Sequence, residues 1–333
     1  MFFLTVLVTG ASGFLGGRLV QLLRERGEDV SVLLRKPKLP SHLDALSLKV
    51  VIGDLDSSEA LRGAVKGVSV IYNCAGLATD WAPWAEFEKT NIRGVRNLLL
   101  AAAEEPGLSR FVHVSSTDVY GYPDVPCDES ASLLDVGLPY NRSKIRGENE
   151  VRDISKRLKV PVTIVRPPTI YGPRSPFFAV ELSKLLSQGM MMYVRGGHTM
   201  GGFVFVDDVV QGMMKAAASP AAIGQAYNLG PEVDVSWREF SERLALAQGY
   251  KKPWLSLPYR ISFGIAAAAE AVNKVFGIKS RPLLSRMAVY VFCRAQNFPI
   301  GKAKKEIGYA PATGIEEGIR QTVQWLQHQD KSG

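Results

Sequence analysis

Tyr140 and Lys144 stand four residues apart in "YNRSK", and about 24 residues before Tyr140 the segment "HVSSTDVYG" carries two adjacent serines, Ser115 and Ser116. On a helix, Tyr140 and Lys144 lie one turn apart on one face. A tyrosine, a lysine and a strand-end serine are the parts needed to interconvert a ketone and an alcohol. Hydride transfer to a ketone makes an alkoxide that must take up a proton, and a phenol can donate it. A free phenol ionises near about 10, too high for easy cycling at neutral pH. A neighbouring ammonium favours the phenolate, and bringing ionisation near neutrality corresponds to roughly 4 kcal/mol of charge stabilisation. A serine hydroxyl at the end of a strand can hold the carbonyl oxygen.

A hydride needs a carrier, and the start of the chain offers a place for one. "TGASGFLGG" spaces Gly10, Gly13 and Gly16 as GxxGxxG, directly after an apolar run and before a helical pattern. Glycine is needed where the backbone turns tightly and approaches a pyrophosphate closely, and the helix behind it presents free N–H groups. Gly10, Ser12, Gly13, Phe14, Leu15 and Gly16 are therefore expected to contact a dinucleotide. Asp54 and Leu55 of "GDL" suit the adenine end, although Asp54 is also placed to cap the helix that follows. Ala75 and Gly76 of "NCAG" end another apolar run with small residues that let backbone touch the cofactor. In "LLRKPKLP" the usual acidic ribose-binding residue is replaced by Leu34, followed by Arg35 and Lys36. Leucine removes the repulsion of a 2′-phosphate, and the two cations can pair with one. NADP(H) is the expected cofactor, with NAD(H) the alternative. Both cations can also be read as solvated loop residues.

These residues require strands that end where the chemistry is. "FLTVLVTG", "DVSVLL", "LKVVIGD", "VSVIYNCAG", "RFVHVSS" and "VPVTIVRPP" read as six buried strands separated by helical patterns. One helix runs through "NIRGVRNLLLAAAEE" and another from about Tyr140 to Leu158. Alternation of this kind predicts an α/β fold: a doubly wound parallel sheet with helices on both faces. We expect residues 1–175 to form this dinucleotide-binding domain, completed by about 200–225, where "GGFVFVDDVVQGMMKAAA" returns to it. Residues 176–199 and 226–330 are expected to form a smaller, mainly helical substrate lobe.

Charged residues make up 22% of the 333-residue chain and hydrophobic residues 46%, an ordinary globular balance. The formal net charge of +8 favours anionic partners, but no Lys/Arg run interleaved with aromatics points to nucleic acid. Cys74, Cys127 and Cys293 lack metal spacing and read as reduced thiols of a cytoplasmic protein. The apolar start lacks a basic leader and is expected to be the first strand and not a signal peptide. No metal site is expected: Asp207 and Asp208 of "VDD" read as the cap of the next helix. His113, inside the fifth strand, reads as a packed core residue.

Taken in order, "TGASGFLG", "GDL", "TNIRGVRNLL", "HVSSTDVYG", "YNRSK" and "RPPTIYGP" resemble the motifs of an extended short-chain dehydrogenase/reductase, over about the first 175 residues. The resemblance implies that Ser116 is the catalytic serine, with Ser115 the close competitor. It makes Tyr140 the acid/base and Lys144 its tuner and a ribose ligand. Ser115, Tyr140 and Lys144 then also border the cofactor. Pro167, Thr169 and Ile170 would wall the nicotinamide. Asn91 would anchor its helix, with a packing role as the alternative. Homodimers through the helices carrying "NIRGVRN" and "YNRSK" are expected by the same analogy.

The stretch from "LSLPYRISFGIAAAAEAVNKVFGIKSRPLL" onward resembles the 3β-hydroxysteroid dehydrogenase-like branch, which includes sterol 4-carboxylate 3-dehydrogenases and 2-alkyl-3-oxoalkanoate reductases. That implies a hydrophobic, sterol- or lipid-like ketone or secondary alcohol. Trp81 and Trp84, after the fourth strand, are candidate substrate contacts beside Ser116. Residues 261–278 are mostly small and apolar, interrupted by Glu270, Asn273 and Lys274, and flanked by Arg260, Lys279, Arg281 and Arg286, which suits a pocket cover or a peripheral seat on an anionic membrane. An ordinary core helix is the plain alternative. The enzyme rival is a nucleotide-sugar epimerase or dehydratase with retained NAD, for which Arg174, Arg195, Arg238 and Arg281 are possible pyrophosphate clamps. A non-catalytic NADP(H)-sensing module is the third reading.

Overall fold

The computed structural model describes residues 4–278 and 280–330; Met1 to Phe3, at the start of the first predicted strand, and the flanking Lys279 lie outside the described residues. The first half alternates as the apolar runs require. It contains β1 (Thr5–Thr9), α1 (Phe14–Glu25), β2 (Asp29–Leu34), β3 (Lys49–Ile52), α2 (Ser58–Val65) and β4 (Val70–Asn73). A short α3 (Trp84–Phe87) then widens into a π-helical turn, Glu88–Arg93, that feeds α4 (Gly94–Ala103). β5 (Arg110–Val114), α5 (Pro139–Leu158) and β6 (Val162–Arg166) complete it.

The second half holds β7 (Thr169–Tyr171), α6 (Leu182–Ser187), β8 (Tyr193–Val194), β9 (Phe203–Phe205), α7 (Val206–Ala218) and β10 (Ala226–Asn228). After these come α8 (Trp237–Ala247), β11 (Ser256–Leu257), α9 (Tyr259–Val275), α10 (Arg286–Cys293), α11 (Gly301–Ile307) and α12 (Ile315–Asp330).

The seven-stranded sheet is parallel throughout, in the order β10-β6-β5-β4-β1-β2-β3. Strand order reverses between β1 and β4, which opens a crevice at the carboxyl ends of the strands. One sheet face buries Leu19, Val20 and Leu23 of α1, Val209 and Met213 of α7, and Ala303 of α11. The other buries Leu61 of α2, Leu98 of α4, and Val151 and Ile154 of α5. β1, β2, β4, β5 and β6 are continuous apolar runs buried on both faces, whereas β3, expected to be buried, is an edge strand with Ile52 exposed.

Two placements differ from expectation. Ala226–Asn228 is the seventh strand, paired with β6, so the sheet reaches beyond residue 225 into the stretch assigned to the lobe. β9 does not join the main sheet; it pairs with β7 in a separate two-stranded sheet, and α7 alone packs back against α1. An aromatic cluster fills the space beyond, where Phe203 stacks on Phe240 at 3.8 Å between ring centroids and Trp237 closes on Phe203 edge-on at 4.7 Å.

Candidate active site

Gly10 has φ +70, and a Cβ there would lie 2.7 Å from Ala75 N. A Cβ on Gly16 would lie 2.3 Å from Gly10 O. The loop closes on itself, with Gly13 N donating to Gly10 O at 2.9 Å. α1 therefore starts without a side-chain cap and without an acidic residue in its first turn, and its free N–H groups fit a pyrophosphate. The residues present thus fit a dinucleotide. Phe14 and Leu15 pack with Ile170 in the second-half core, which joins the loop to β7.

Beyond the loop, the predicted adenine-end residues divide. Ser57, not Asp54, caps α2, accepting from Ala60 N at 3.3 Å, so the capping alternative for Asp54 is overturned. Asp54 is half-buried, and Lys89 Nζ lies 3.7 Å from its carboxylate. Leu55 is buried and packs against Gly94, a core position. Leu34 is likewise buried, whereas Arg35 and Lys36 are exposed at the end of β2 without a polar partner among the described residues.

The serine ambiguity resolves by strand geometry. Side chains alternate along an extended chain, so Ser115 and Ser116 point to opposite sides. Ser115 Oγ donates to Glu148 Oε2 at 2.9 Å, inside a buried ion pair of Glu148 with Arg166. Ser116 Oγ instead accepts from Asp118 N at 3.2 Å and faces the Tyr140 phenol. Pro139 opens α5 at its first turn, and Tyr140 and Lys144 follow on its buried face. Lys144 Nζ donates to Val114 O at 3.0 Å and lies 5.9 Å from the Tyr140 ring centroid. Gly76 leaves the gap beside it: a Cβ there would lie 3.3 Å from Lys144 Nζ and 3.6 Å from Asn91 Oδ1.

Asn91 is a clamp. Its Oδ1 accepts from Leu77 N at 2.7 Å, while its Nδ2 donates to Leu77 O at 3.1 Å and to Ser143 Oγ at 2.8 Å. It ties the loop after β4 to α5, so its role includes more than local packing. Thr169 is buried with its N–H on Gly202 O at 3.1 Å, and Pro167 O accepts from Thr117 N at 3.2 Å.

Burial governs the ionisation here. It pushes the Tyr140 phenol above its ordinary value, the Asp118 carboxylate adds to that, and the Ser116 hydroxyl offsets part of it. Burial also lowers Lys144 to about 8. With Lys144 Nζ 5.9 Å from the ring centroid, desolvation dominates the shift of the phenol. Burial also raises Asp118 to about 6 against the pull of Ser116, Tyr122 and Lys144. Asp118 and Tyr122 were not singled out from the sequence. Tyr122 holds φ 58, and its hydroxyl is buried beside Asp118 with no hydrogen bond of ordinary geometry. Nothing in "STDVYGY" marks Tyr122 as buried or Asp118 as half-buried beside it. His113 is held near 3 by burial, with Nδ1 3.2 Å from Asn73 Nδ2, and is a neutral core residue.

The loop with the two tryptophans is pinned from the second half: Arg281 Nε donates to Asp80 Oδ1 at 2.6 Å and Ser285 Oγ also binds Asp80. Trp81 and Trp84 are both half-buried, and Trp84 lies under Arg146 of α5 at 5.2 Å. Asp207 and Asp208 do not cap α7. Asp207 holds Arg18 at 2.6 and 2.7 Å, and Asp208 accepts from Ala312 N and Thr313 N.

Comparison with known proteins agrees with this geometry. Residues 6–230 match the family model described as the NAD dependent epimerase/dehydratase family. The chain is 30% identical to 4-hydroxy-2-methyl-3-oxo-4-farnesyl-3,4-dihydroquinoline-1-oxide ketoreductase of Stigmatella aurantiaca, over 94% of this chain and 93% of that protein. It is 28% identical to the decarboxylating sterol-4-alpha-carboxylate 3-dehydrogenase of Mus musculus, over 96% and 90%. It is 26% identical to the 2-alkyl-3-oxoalkanoate reductase of Stenotrophomonas maltophilia, over 95% and 97%. Among solved structures, gox2253 superposes with a TM-score of 0.82 at 30% identity, covering 98% of each chain. MoeE5 in complex with UDP-glucuronic acid and NAD gives 0.77 at 25% identity, covering 98% and 99%. The chain belongs to the NAD-dependent epimerase/dehydratase family and is an extended short-chain dehydrogenase/reductase, an enzyme that works with a nicotinamide cofactor.

Proposed function

We propose that this enzyme is an NADP(H)-preferring ketoreductase acting on a hydrophobic, sterol- or lipid-like substrate, and interconverting its ketone and secondary alcohol. The observation that carries the reading is the placement of Tyr140 and Lys144 on the buried face of α5, with the phenol facing Ser116. A phenol so placed can donate its proton to a carbonyl oxygen. Ser116 Oγ holds the carbonyl oxygen, Tyr140 gives its proton to that oxygen, and Lys144 carries charge behind the phenol. The nicotinamide, when bound, supplies or accepts the hydride. Gly10 to Gly16 seat the pyrophosphate, Ala75, Gly76, Pro167, Thr169 and Ile170 line the nicotinamide side, and Arg35 and Lys36 receive a 2′-phosphate. The lobe built from residues 176–199 and the helices α8, α9, α10 and α12 bounds the substrate, with Trp81 at its edge.

Three relatives named for keto or hydroxy substrates support this reading. The sugar-nucleotide alternative needs free arginines for a diphosphate. Arg238 binds Gly196 O and Glu242, Arg281 binds Asp80 and Glu181, and Arg174 binds Gln21, which leaves Arg195 without a protein partner among the described residues. Titration with NADPH and NADH, followed by nicotinamide fluorescence, tests the cofactor part. At least about tenfold tighter NADPH binding is expected, corresponding to about 1.4 kcal/mol. Preference for NADH, or NAD carried through purification, would overturn it and put the sugar-nucleotide reading first.

A further inference from the structure

α9 buries two polar residues, Ser262 and Glu270, alongside Ala266, and leaves a stripe of large apolar residues outward. Toward α10, Ser262 is fully buried, and Glu270, 7% exposed, accepts from Arg286 N at 2.7 Å and Arg286 Nε at 2.8 Å. The opposite face carries Ile261, Ile265, Val272 and Val275, which are 52%, 48%, 49% and 80% exposed, and Phe276 just beyond is 75% exposed. Their spacing places them on one stripe of the helix. A surface helix ordinarily shows the reverse polarity, and a continuous exposed apolar stripe marks an interaction surface.

Charge identifies the partner. Residues 251–286 contain seven Lys or Arg and a single acidic residue, Glu270, which faces inward onto Arg286; Lys252 pairs with Glu242, and Arg281 with Asp80 and Glu181. Lys251, Arg260 and Lys274 are exposed and free of carboxylate partners among the described residues. Two copies facing each other through α9 would bring these like charges together. Anionic lipid headgroups would neutralise them while the apolar stripe enters the acyl boundary. Among the described residues no helix is long and apolar enough to cross a membrane, so the stripe is suited to lying on one. We propose that α9 is an interfacial helix that docks this enzyme on an anionic lipid surface. The inference is independent of the ketone reading. It places the Arg281–Asp80 contact, and with it the loop beside the site, next to the docked face.

Flotation of the full chain with vesicles tests it. Binding is expected on phosphatidylcholine mixed with phosphatidylglycerol at low salt, at least about tenfold stronger than on phosphatidylcholine alone or at high salt. An Ile265→Glu/Val275→Glu double variant and an Arg260→Gln/Lys274→Gln double variant should each lose that binding. NADPH affinity should be unchanged in both, which shows that they are folded. Failure of the native chain to float would overturn the proposal, as would flotation that both variants retain. Light scattering that shows a native dimer dissolved by the glutamate variant would assign the stripe to a second copy instead.

Discussion

In the proposed reaction the proton comes from Tyr140. Burial and Asp118 both disfavour its phenolate, and only Ser116 opposes them. Tyr140→Phe is expected to lower kcat for ketone reduction by about 10²- to 10⁴-fold, with the Kd for NADPH unchanged by fluorescence titration. Loss of cofactor binding together with turnover would mean that the ring is structural. The two serines make a sharper comparison. Ser116→Ala should lower kcat and leave thermal stability near native. Ser115→Ala should do the opposite, since it withdraws a hydrogen bond from a buried carboxylate at a cost of about 1–3 kcal/mol. Measuring kcat and Tm on both variants separates the roles. The candidate residues were legible because a phenol, an ammonium and a hydroxyl at this spacing suit ketone–alcohol interconversion. Which serine was not derivable from spacing alone, because it depends on the face each side chain takes. The direction of the phenol shift depends on desolvation, which sequence order does not display.

At the scale of elements, α5 is the member on which the site is mounted, and two of its residues hold it. Gly147 passes so close to Asn91 that a Cβ would lie 2.2 Å from Asn91 O. Gly147→Ala should therefore destabilise by roughly 1–3 kcal/mol despite alanine's better helix propensity, read as a lower Tm. One residue on, burial would push Glu148 up, but Arg166 and Arg152 outweigh it and hold the carboxyl near 2. A carboxyl lowered on folding contributes stability that is present above its unfolded value of about 4.3 and lost as pH falls through about 2. Glu148→Gln should cost roughly 3–5 kcal/mol at neutral pH by leaving Arg166 buried and uncompensated. The Tm gap between variant and native chain should narrow between about pH 5 and pH 2; a constant gap would remove the ion pair from the account. The six long strands were readable as apolar runs, and β2 occupies Asp29–Leu34 as the pattern required. β10 was not, because three residues are too few to show a period. Asp207 and Asp208 were misread as caps because their real partners, Arg18 and the 312–313 backbone, are remote in sequence.

For the whole molecule, many polar contacts join the two halves, among them Arg18–Asp207 and Tyr120–Asn228, and Asp80 makes two of those that hold the loop after β4. Its carboxylate receives Arg281 and Ser285 from the segment between α9 and α10. Asp80→Ala is expected to raise KM for a hydrophobic ketone with little change in NADPH affinity, and to speed limited proteolysis between residues 276 and 285. An unchanged KM would separate this contact from substrate binding. The polarity reversal of α9 escaped sequence reading for a simple reason. Its composition shows an apolar helix with a few charges, and only packing shows which side is wet.

The π-helical turn Glu88–Arg93, described above as a widening between α3 and α4, acts as a phase shifter. A regular helix advances about 100° per residue, so one surplus residue lets the two ends of a single rod obey different azimuths. Behind the turn, α4 keeps Val95 and Leu98 on the sheet; ahead of it, Phe87 is buried while Asn91, inside it, reaches Leu77 and Ser143. Excising one residue from this turn would leave a smoother helix and a misaligned one. Trp84 and the Asp80 loop would swing by a quarter turn around an axis that α4 cannot follow, and the active-site rim would be mistimed against the floor that supports it.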